Sequence, residues 1–205
     1  MTKVKTGYLV YVHNELEYKQ LLRFKQNLNV ARHRLAVVDC VGNIVDKRKF
    51  MVVELPWTDI LDNKNYTAYY VTPFEQTILI SPGIILKEEL MYADYTSVRY
   101  VDVESVPQKP EPLLEVEVNL DLFMFNKSET SAQFFHLLDL IRINWETEHT
   151  NMGLDHYYFH PDASATWVAR FLEIDVICIT GHRMNEYATH TGVHPIRGLQ
   201  NVSMV

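Results

Sequence analysis

Glycine and cysteine are both scarce in this sequence, and each scarcity excludes a class of site. Seven glycines occur among 205 residues, and neither Gly-x-Gly-x-x-Gly nor Gly-x-x-x-x-Gly-Lys is present. A dinucleotide fingerprint and a P-loop both need glycine where the backbone approaches phosphate, so neither site has support in the sequence. The two cysteines, Cys40 and Cys178, each lie inside an apolar run. Because of these apolar surroundings, we predict buried free thiols in a reducing compartment. Two cysteines also cannot form an all-cysteine metal site.

The sequence also lacks a long apolar run and an excess of basic residues. No segment approaches the roughly 18 apolar residues that a membrane span needs, and the run Tyr8–Val12 is too short for a signal peptide. We therefore expect no membrane partner, no export by a signal peptide, and a location in the cytoplasm or in an assembled virion. The formal charge of −7 argues against nucleic acid as the main partner, because non-specific nucleic-acid binding depends on clustered lysine and arginine.

Apolar periodicity predicts a strand-rich module over residues 1–106. A strand at Tyr8–Val12 is followed by Asn14 and Glu17, whose three-residue spacing resembles a capping box and predicts the start of a helix. The further elements predicted in this module are strands at 67–71, 77–81 and 98–103 and a short helix at 86–92.

A β-hairpin is predicted between the β-rich runs 35–39 and 50–55. They flank Gly42 and Asn43, a dipeptide that tolerates positive φ and therefore suits a tight turn.

A second module is predicted over residues 113–205, behind a connector. Three prolines fall within residues 107–112, and proline favours an extended chain because it lacks an amide donor. Apolar and polar residues then alternate over 114–122, which predicts a half-buried strand with one acidic, solvated face. Two helices are predicted after it, one opened by a capping box of Thr130 and Gln133 and one over 162–173. The fold class predicted is α+β.

Histidine is concentrated near the C-terminal end of the chain. Neutral imidazoles beside carboxylates are the ligands of a catalytic zinc, although the helical His-Glu-x-x-His arrangement is absent. Histidines in aromatic surroundings also serve in packing and hydrogen bonding, and both interpretations stay open. Six of the nine histidines lie here: His149, His156, His160, His182, His190 and His194.

Two short segments in this region, VICITGHR at 176–183 and GVHPIRGL at 192–199, resemble a known zinc peptidase family. The family comprises D-alanyl-D-alanine carboxypeptidases and L-alanyl-D-glutamate endopeptidases, and it is similar to the hedgehog signalling domain. The resemblance implies that Arg183 orients a substrate and that His194 is the first zinc ligand. His182 is the neighbouring candidate ligand.

The chain departs from this family at the position of a zinc-binding aspartate. Gln200 or Asn201 stands there, and an amide is a poor replacement for an anionic metal ligand. Strands and aromatic residues abound, whereas no complete catalytic motif is present. We therefore predict a non-catalytic structural or interaction protein that acts through protein partners or self-assembly and needs no cofactor, such as a component of a phage virion. The alternative is a degenerate, zinc-binding metallopeptidase-like protein of the cell-wall D,D-peptidase type. Whether the protein is an enzyme stays open, and the sequence favours a protein that is not.

Overall fold

The computed structural model describes residues 6–54, 64–86, 101–103, 120, 122–153, 159, 161–174, 178–180 and 188–190. The described strands are β1 (Thr6–Val12), β2 (Leu35–Asp39), β3 (Met51–Val53), β4 (Gln76–Ile80), β5 (Ile84–Leu86), β6 (Val101–Val103), β7 (Leu122–Asn126), β8 (Cys178–Thr180) and β9 (Ala188–His190). The described helices are α1 (Glu15–Leu28), α2 (Ala68–Val71), α3 (Glu129–Ile143), α4 (Trp145–Asn151) and α5 (Pro161–Phe171). None of these helices is long and apolar enough to cross a membrane.

Five strands form a mixed central sheet in the order β3-β2-β1-β4-β7. The first four strands run parallel, and β7 pairs antiparallel with β4. The central strand β1 is covered on both faces, with residues Tyr8–Val12 no more than 2% exposed. Strands buried on both faces read as continuous apolar runs, which is why the sequence of β1 shows no alternation. Helices cover the mixed sheet, and the predicted α+β class is confirmed.

Helix α1 connects β1 to β2 and covers one face of the sheet. It begins where predicted, because the Asn14 side chain accepts a hydrogen bond from the Glu17 amide at 2.9 Å. The Glu17 carboxylate in turn accepts from the His13 amide at 2.7 Å, so the cap satisfies amide groups that the first turn leaves unpaired. On the covered face, the ring of Phe24 packs edge-on against Tyr8, with centroids 5.5 Å apart.

The opposite face of the sheet carries a cluster of aromatic rings. Phe123 and Phe125 are two residues apart on β7 and point the same way, toward α3. Phe125 and Phe135 have centroids 4.8 Å apart, and Phe123 and Phe134 stack at 5.5 Å. Tyr69 of α2 joins them through Phe135 at 6.2 Å. Each fully buried side chain of this size contributes roughly 2–3 kcal/mol, so this cluster holds α2, α3 and β7 together.

The predicted hairpin between residues 35–39 and 50–55 is wrong, because β3 runs parallel to β2. Gly42 and Asn43 do adopt positive φ, at 85° and 68°, but their turn opens a longer loop instead of closing a hairpin. Arg32 then fixes the returning chain at the start of β2. Its guanidinium donates to the carbonyls of Lys47 at 2.9 Å and Phe50 at 3.1 Å. The loop therefore delivers β3 in the same direction as β2.

The strand predicted at 67–71 is also wrong, because Ala68–Val71 is the helix α2. Tertiary contacts outweigh the β propensity of this short stretch. Ala68 is fully buried, and the Thr67 hydroxyl is paired with the Tyr11 hydroxyl at 2.7 Å.

Three other predicted elements are confirmed, one of them with a different cap. The strand at 77–81 is confirmed as β4, and α5 confirms the helix predicted over 162–173. The helix that opens near Thr130 is confirmed as α3, but its cap is Ser128, which accepts from the Ser131 amide at 3.2 Å.

Several predictions fall on residues that the structure describes only in part or not at all. Residues 101–103 form β6 within the strand predicted at 98–103, whereas the helix predicted at 86–92 lies outside the described residues except at its first residue, which ends β5. Of the alternating stretch 114–122, Leu120 and Leu122 are described, and both are buried. The connector 107–112 is not described, and the division at that point stays a prediction. Strand β7, which follows it in the chain, belongs to the same sheet as β1.

Two small sheets bring the C-terminal part of the chain to the N-terminal part. Strand β9 pairs antiparallel with β5, so that His190 lies opposite Ile84. Strand β8 pairs parallel with β6, with Cys178 opposite Val101.

Gly7 of β1 offers a test of this packing. A β-carbon at Gly7 would lie 2.5 Å from Cε1 and 2.6 Å from Cε2 of Phe74, whose ring is 1% exposed. We expect Gly7→Ala to lower the free energy of unfolding by about 1–3 kcal/mol through overpacking, measured by urea denaturation. Phe74→Leu makes room, so the double variant should be less destabilised than the sum of the two single variants. Strict additivity would show that the two residues do not interact.

Candidate functional site

The order in which the chain places its strands in the sheet reverses between β1 and β4. After β1 the chain adds β2 and β3 on one side, and it then returns to place β4 on the other side. In open sheets of this kind, ligands bind outside the carboxyl ends of the strands at the point of reversal. We call this region the carboxyl edge, defined by residues 13–17 after β1, 39–45 at the end of β2 and 81–84 after β4.

His13 lies directly after β1 and is held by Glu17. Its Nδ1 lies 3.1 Å from Glu17 Oε2, and the same oxygen accepts the His13 amide. The second oxygen, Oε1, accepts from Asn14 Nδ2 at 3.2 Å. Glu17 is only 4% exposed. The cost of burying its carboxylate at the first turn of α1 is compensated by the imidazole and by the amide groups of the cap.

Cys40 is the neighbour of His13 across the sheet. Val12 is paired with Asp39, and the Cys40 amide donates to the Val12 carbonyl at 2.9 Å, so His13 and Cys40 continue the pairing of β1 with β2. Burial lowers the pKa of His13, but the interactions with Cys40 and Glu17 outweigh it and raise that pKa to about 9. The thiol itself points to the Val38 carbonyl at 3.9 Å, and His13 Nε2 is buried without a hydrogen-bond partner within the described part of the chain. Cys40 is buried and free, as predicted.

Asp39 organises the loop that follows β2. One carboxylate oxygen accepts the amides of Val41 at 3.3 Å and Gly42 at 2.8 Å, and the other accepts those of Ile44 at 2.9 Å and Val45 at 3.0 Å. A carboxylate has about four acceptor sites, so the loop amides occupy the capacity of this side chain.

The other wall of the carboxyl edge comes from the helical layer. Strand β7 ends at Asn126 opposite Gln76, the first residue of β4, so α3 starts at the far edge and runs toward the carboxyl edge. There the guanidinium of Arg142 lies 4.5 Å from the ring centroid of Tyr66 and donates to Asp139 at 3.0 Å. The side chain of Arg142 remains 26% exposed. Arg142 thus brings to this wall a partly exposed guanidinium that is paired with Asp139.

Tyr11 joins the strand β1 to the same wall. Its hydroxyl is hydrogen-bonded to Thr67, directly after Tyr66, and its ring stacks with His13 at 6.5 Å. Burial raises the pKa of Tyr11, and the bond to Thr67 opposes that effect only in part. Tyr11 is therefore a neutral, structural hydroxyl at neutral pH.

Strand β4 ends in a turn at residues 81–84. The Ile84 amide donates to the Ser81 carbonyl at 3.1 Å, and the chain then enters β5, which packs against α1. Because β9 is paired with β5, residues 188–190 lie beside this turn. The backbone of His190 thus lies next to the carboxyl edge.

The site residues predicted from the sequence fall outside what the structure describes. His182, Arg183 and His194 are not among the described residues, and their predicted roles stay predictions. Among the residues that are described, no group of three or more histidine, cysteine, aspartate or glutamate side chains is placed to hold a metal ion.

The residues at the carboxyl edge are not recognisable as a site from the local sequence patterns. The spacing of Asn14 and Glu17 predicts only a helix cap, and the apolar pattern places Asp39 only at the end of a strand. Polar residues that directly follow buried, β-rich runs were the signal that could have identified them, since the ends of parallel strands meet at one edge.

The described strands form an open, mainly parallel sheet whose strand order reverses between β1 and β4. Models of known protein families give no match to the sequence, and neither do curated protein sequences. Solved structures do match. The chain is similar to the glycosyltransferase GlyE of Streptococcus pneumoniae TIGR4, with a TM-score of 0.54 and 9% sequence identity over 86% of this chain. The apo form of GlyE gives a TM-score of 0.53 and 11% identity over the same share.

This likeness concerns the fold, and it overturns the function predicted from the sequence. The chain spans 45% of the length of the GlyE structures. A fold shared with a glycosyltransferase contradicts both the non-catalytic structural or virion protein and its metallopeptidase-like alternative. The leading prediction was wrong because it relied on overall composition and on missing catalytic motifs, and the alternative relied on two short C-terminal segments. Neither reveals the sheet that β1, β2, β3, β4 and β7 build.

The raised pKa of His13 predicts a pH dependence of stability. The folded-state pKa of about 9 lies above the ordinary 6.5, so protonated His13 stabilises the fold fully below pH 6.5. This contribution, on the order of 2 kcal/mol, is lost as pH rises through 9. Urea denaturation between pH 6 and about 9.5 should show this loss in the wild-type protein and a flatter profile in His13→Gln. His33→Gln is the control, because His33 is exposed and lies before β2. An unchanged slope in His13→Gln would refute the assignment.

Proposed function

We propose that this chain is a glycosyltransferase-type domain that binds an activated sugar donor, a nucleoside phosphate sugar, at the carboxyl edge. The observation that carries the proposal is the shared chain path with GlyE over 86% of the chain, combined with a strand order that reverses between β1 and β4. One fold hosts many functions, so the proposal also needs groups at that edge that suit such a donor.

The described groups at the carboxyl edge suit a phosphorylated donor in two ways. Arg142 brings a partly exposed guanidinium, and a guanidinium forms strong charge-assisted hydrogen bonds with phosphate oxygens. The loop after β2 and the turn after β4 bring backbone to the crevice from both sides of β1. The donor would therefore lie across the ends of β1, β2 and β4.

Binding can be tested by hydrogen exchange with UDP, GDP and CMP as probes. We expect at least one of them to protect amides within residues 13–17, 40–45 and 81–84. Residues 32–34, before β2, and 126–129, at the end of the antiparallel β7, lie at the opposite edge of the sheet and serve as internal controls, so their exchange should not change. The proposal is wrong if no nucleotide alters exchange, or if protection appears only at the opposite edge.

Two arginines provide a matched pair of variants for this site. Arg142 and Arg48 each pair with an aspartate of their own segment, at 3.0 Å and 3.2 Å, but Arg48 is 91% exposed and lies in the loop that leads to the start of β3. We expect Arg142→Gln to weaken nucleotide binding about tenfold, because a charge-assisted contact is lost, and Arg48→Gln to leave it unchanged. Calorimetric titration would measure both affinities. Equal effects of the two variants on nucleotide affinity would show that Arg142 does not contact the nucleotide.

A further inference from the structure

An acidic residue at the end of β2 often contacts the ligand in nucleotide-binding sheets. In the dinucleotide-binding fold, a carboxylate about 20 residues beyond the first βα turn accepts a hydrogen bond from the ribose hydroxyl. In this chain Asp39, the last residue of β2, occupies the equivalent place, 25 residues after the helix cap Asn14 (39 minus 14). The expectation from the fold alone is therefore that Asp39 contacts the ribose.

The hydrogen bonds of Asp39 argue against that role. Its carboxylate already accepts four backbone amides within 3.3 Å, two on each oxygen. A ribose hydroxyl would have to displace one of these amides, which would then lose its acceptor. The amides come from both ends of the loop, so Asp39 fixes the loop as a unit.

The loop that Asp39 fixes presents one exposed apolar side chain, Val41, at the end of β2. Val41 is 48% exposed although it directly follows the buried Cys40. Next to it, Gly42 has φ of 85° and open space around its α-carbon. The flat face of a nucleoside base can pack against such an exposed apolar side chain, whereas phosphate is bound by charged side chains or backbone amides.

We infer that Asp39 is a positioning residue that holds residues 40–45 in place, and that Val41 on this loop receives the nucleoside half of the donor. The inference rests on the proposed function, because it names the part of the carboxyl edge that contacts the nucleoside. The ribose is held by groups other than the Asp39 carboxylate. The phosphates then lie toward β1 and β4.

The ribo and 2′-deoxy forms of UDP and GDP distinguish positioning from ribose contact. We expect Asp39→Asn to weaken binding of both forms by the same factor, about tenfold, because the loop loses its anchor. Asp46→Asn is the control, since Asp46 accepts the Arg48 amide and guanidinium in an exposed turn of the same connection. It should leave both affinities unchanged. A loss confined to the ribo form would show that Asp39 contacts the ribose and would overturn the inference.

Two further measurements keep the inference testable if Asp39→Asn folds poorly or if nucleotides do not bind. Val41→Ser changes an exposed side chain, so it should fold normally and weaken both nucleotides several-fold, roughly the effect of losing an apolar contact. Unchanged affinity would place the nucleoside elsewhere. Without any ligand, the amides of residues 41, 42, 44 and 45 should exchange faster in Asp39→Asn than in wild type, and unchanged exchange would refute the positioning role. Failure of wild type to bind any nucleotide would overturn the proposed function and the nucleoside assignment together, while the exchange result would still decide the role of Asp39.

Discussion

The parallel pairing of β1 with both β2 and β4 is the constraint on which the rest of the structure depends. A strand that is paired on both sides and covered on both faces has no contact with water, so its backbone groups must be satisfied within the sheet. Its side chains must also suit two covered faces. The sequence of β1 supplies an apolar run for this purpose and one glycine, Gly7, where the ring of Phe74 leaves no room for a side chain. Both layers of helices then pack against this strand and its neighbours.

The polar residues at the carboxyl edge are used mainly to satisfy backbone amides. Asn14 and Glu17 cap α1, and Asp39 binds the loop after β2. These side chains therefore stabilise the fold, and they also decide what the edge can offer a ligand. Ordered backbone, the exposed side chain of Val41 and the partly exposed guanidinium of Arg142 remain at this edge, and these are the groups on which the proposed donor site rests.

Local features of this fold could be predicted from sequence, and long-range features could not. The cap of α1 is encoded by residues three positions apart, so Asn14 and Glu17 reveal it. The direction of β3 depends on Arg32, which contacts carbonyls 15 and 18 residues away, and no local pattern records such a contact. The candidate site combines residues after three different strands, which no spacing in sequence brings together. The C-terminal histidines are close in sequence and suggested only the metallopeptidase-like alternative, whereas the residues of the carboxyl edge are far apart in sequence and suggested no site.

The pairing of β5 with β9 has a consequence for how the protein is made. Ile84 lies opposite His190, a separation of 106 residues (190 minus 84). On the ribosome, the strands from β1 to β4 can pair long before residue 190 emerges, whereas the border of the carboxyl edge next to β4 must wait for it. Contacts between such distant residues close large loops and form slowly. A nascent chain therefore carries an unpaired edge on β5, which is open to aggregation, until residues 188–190 have been translated.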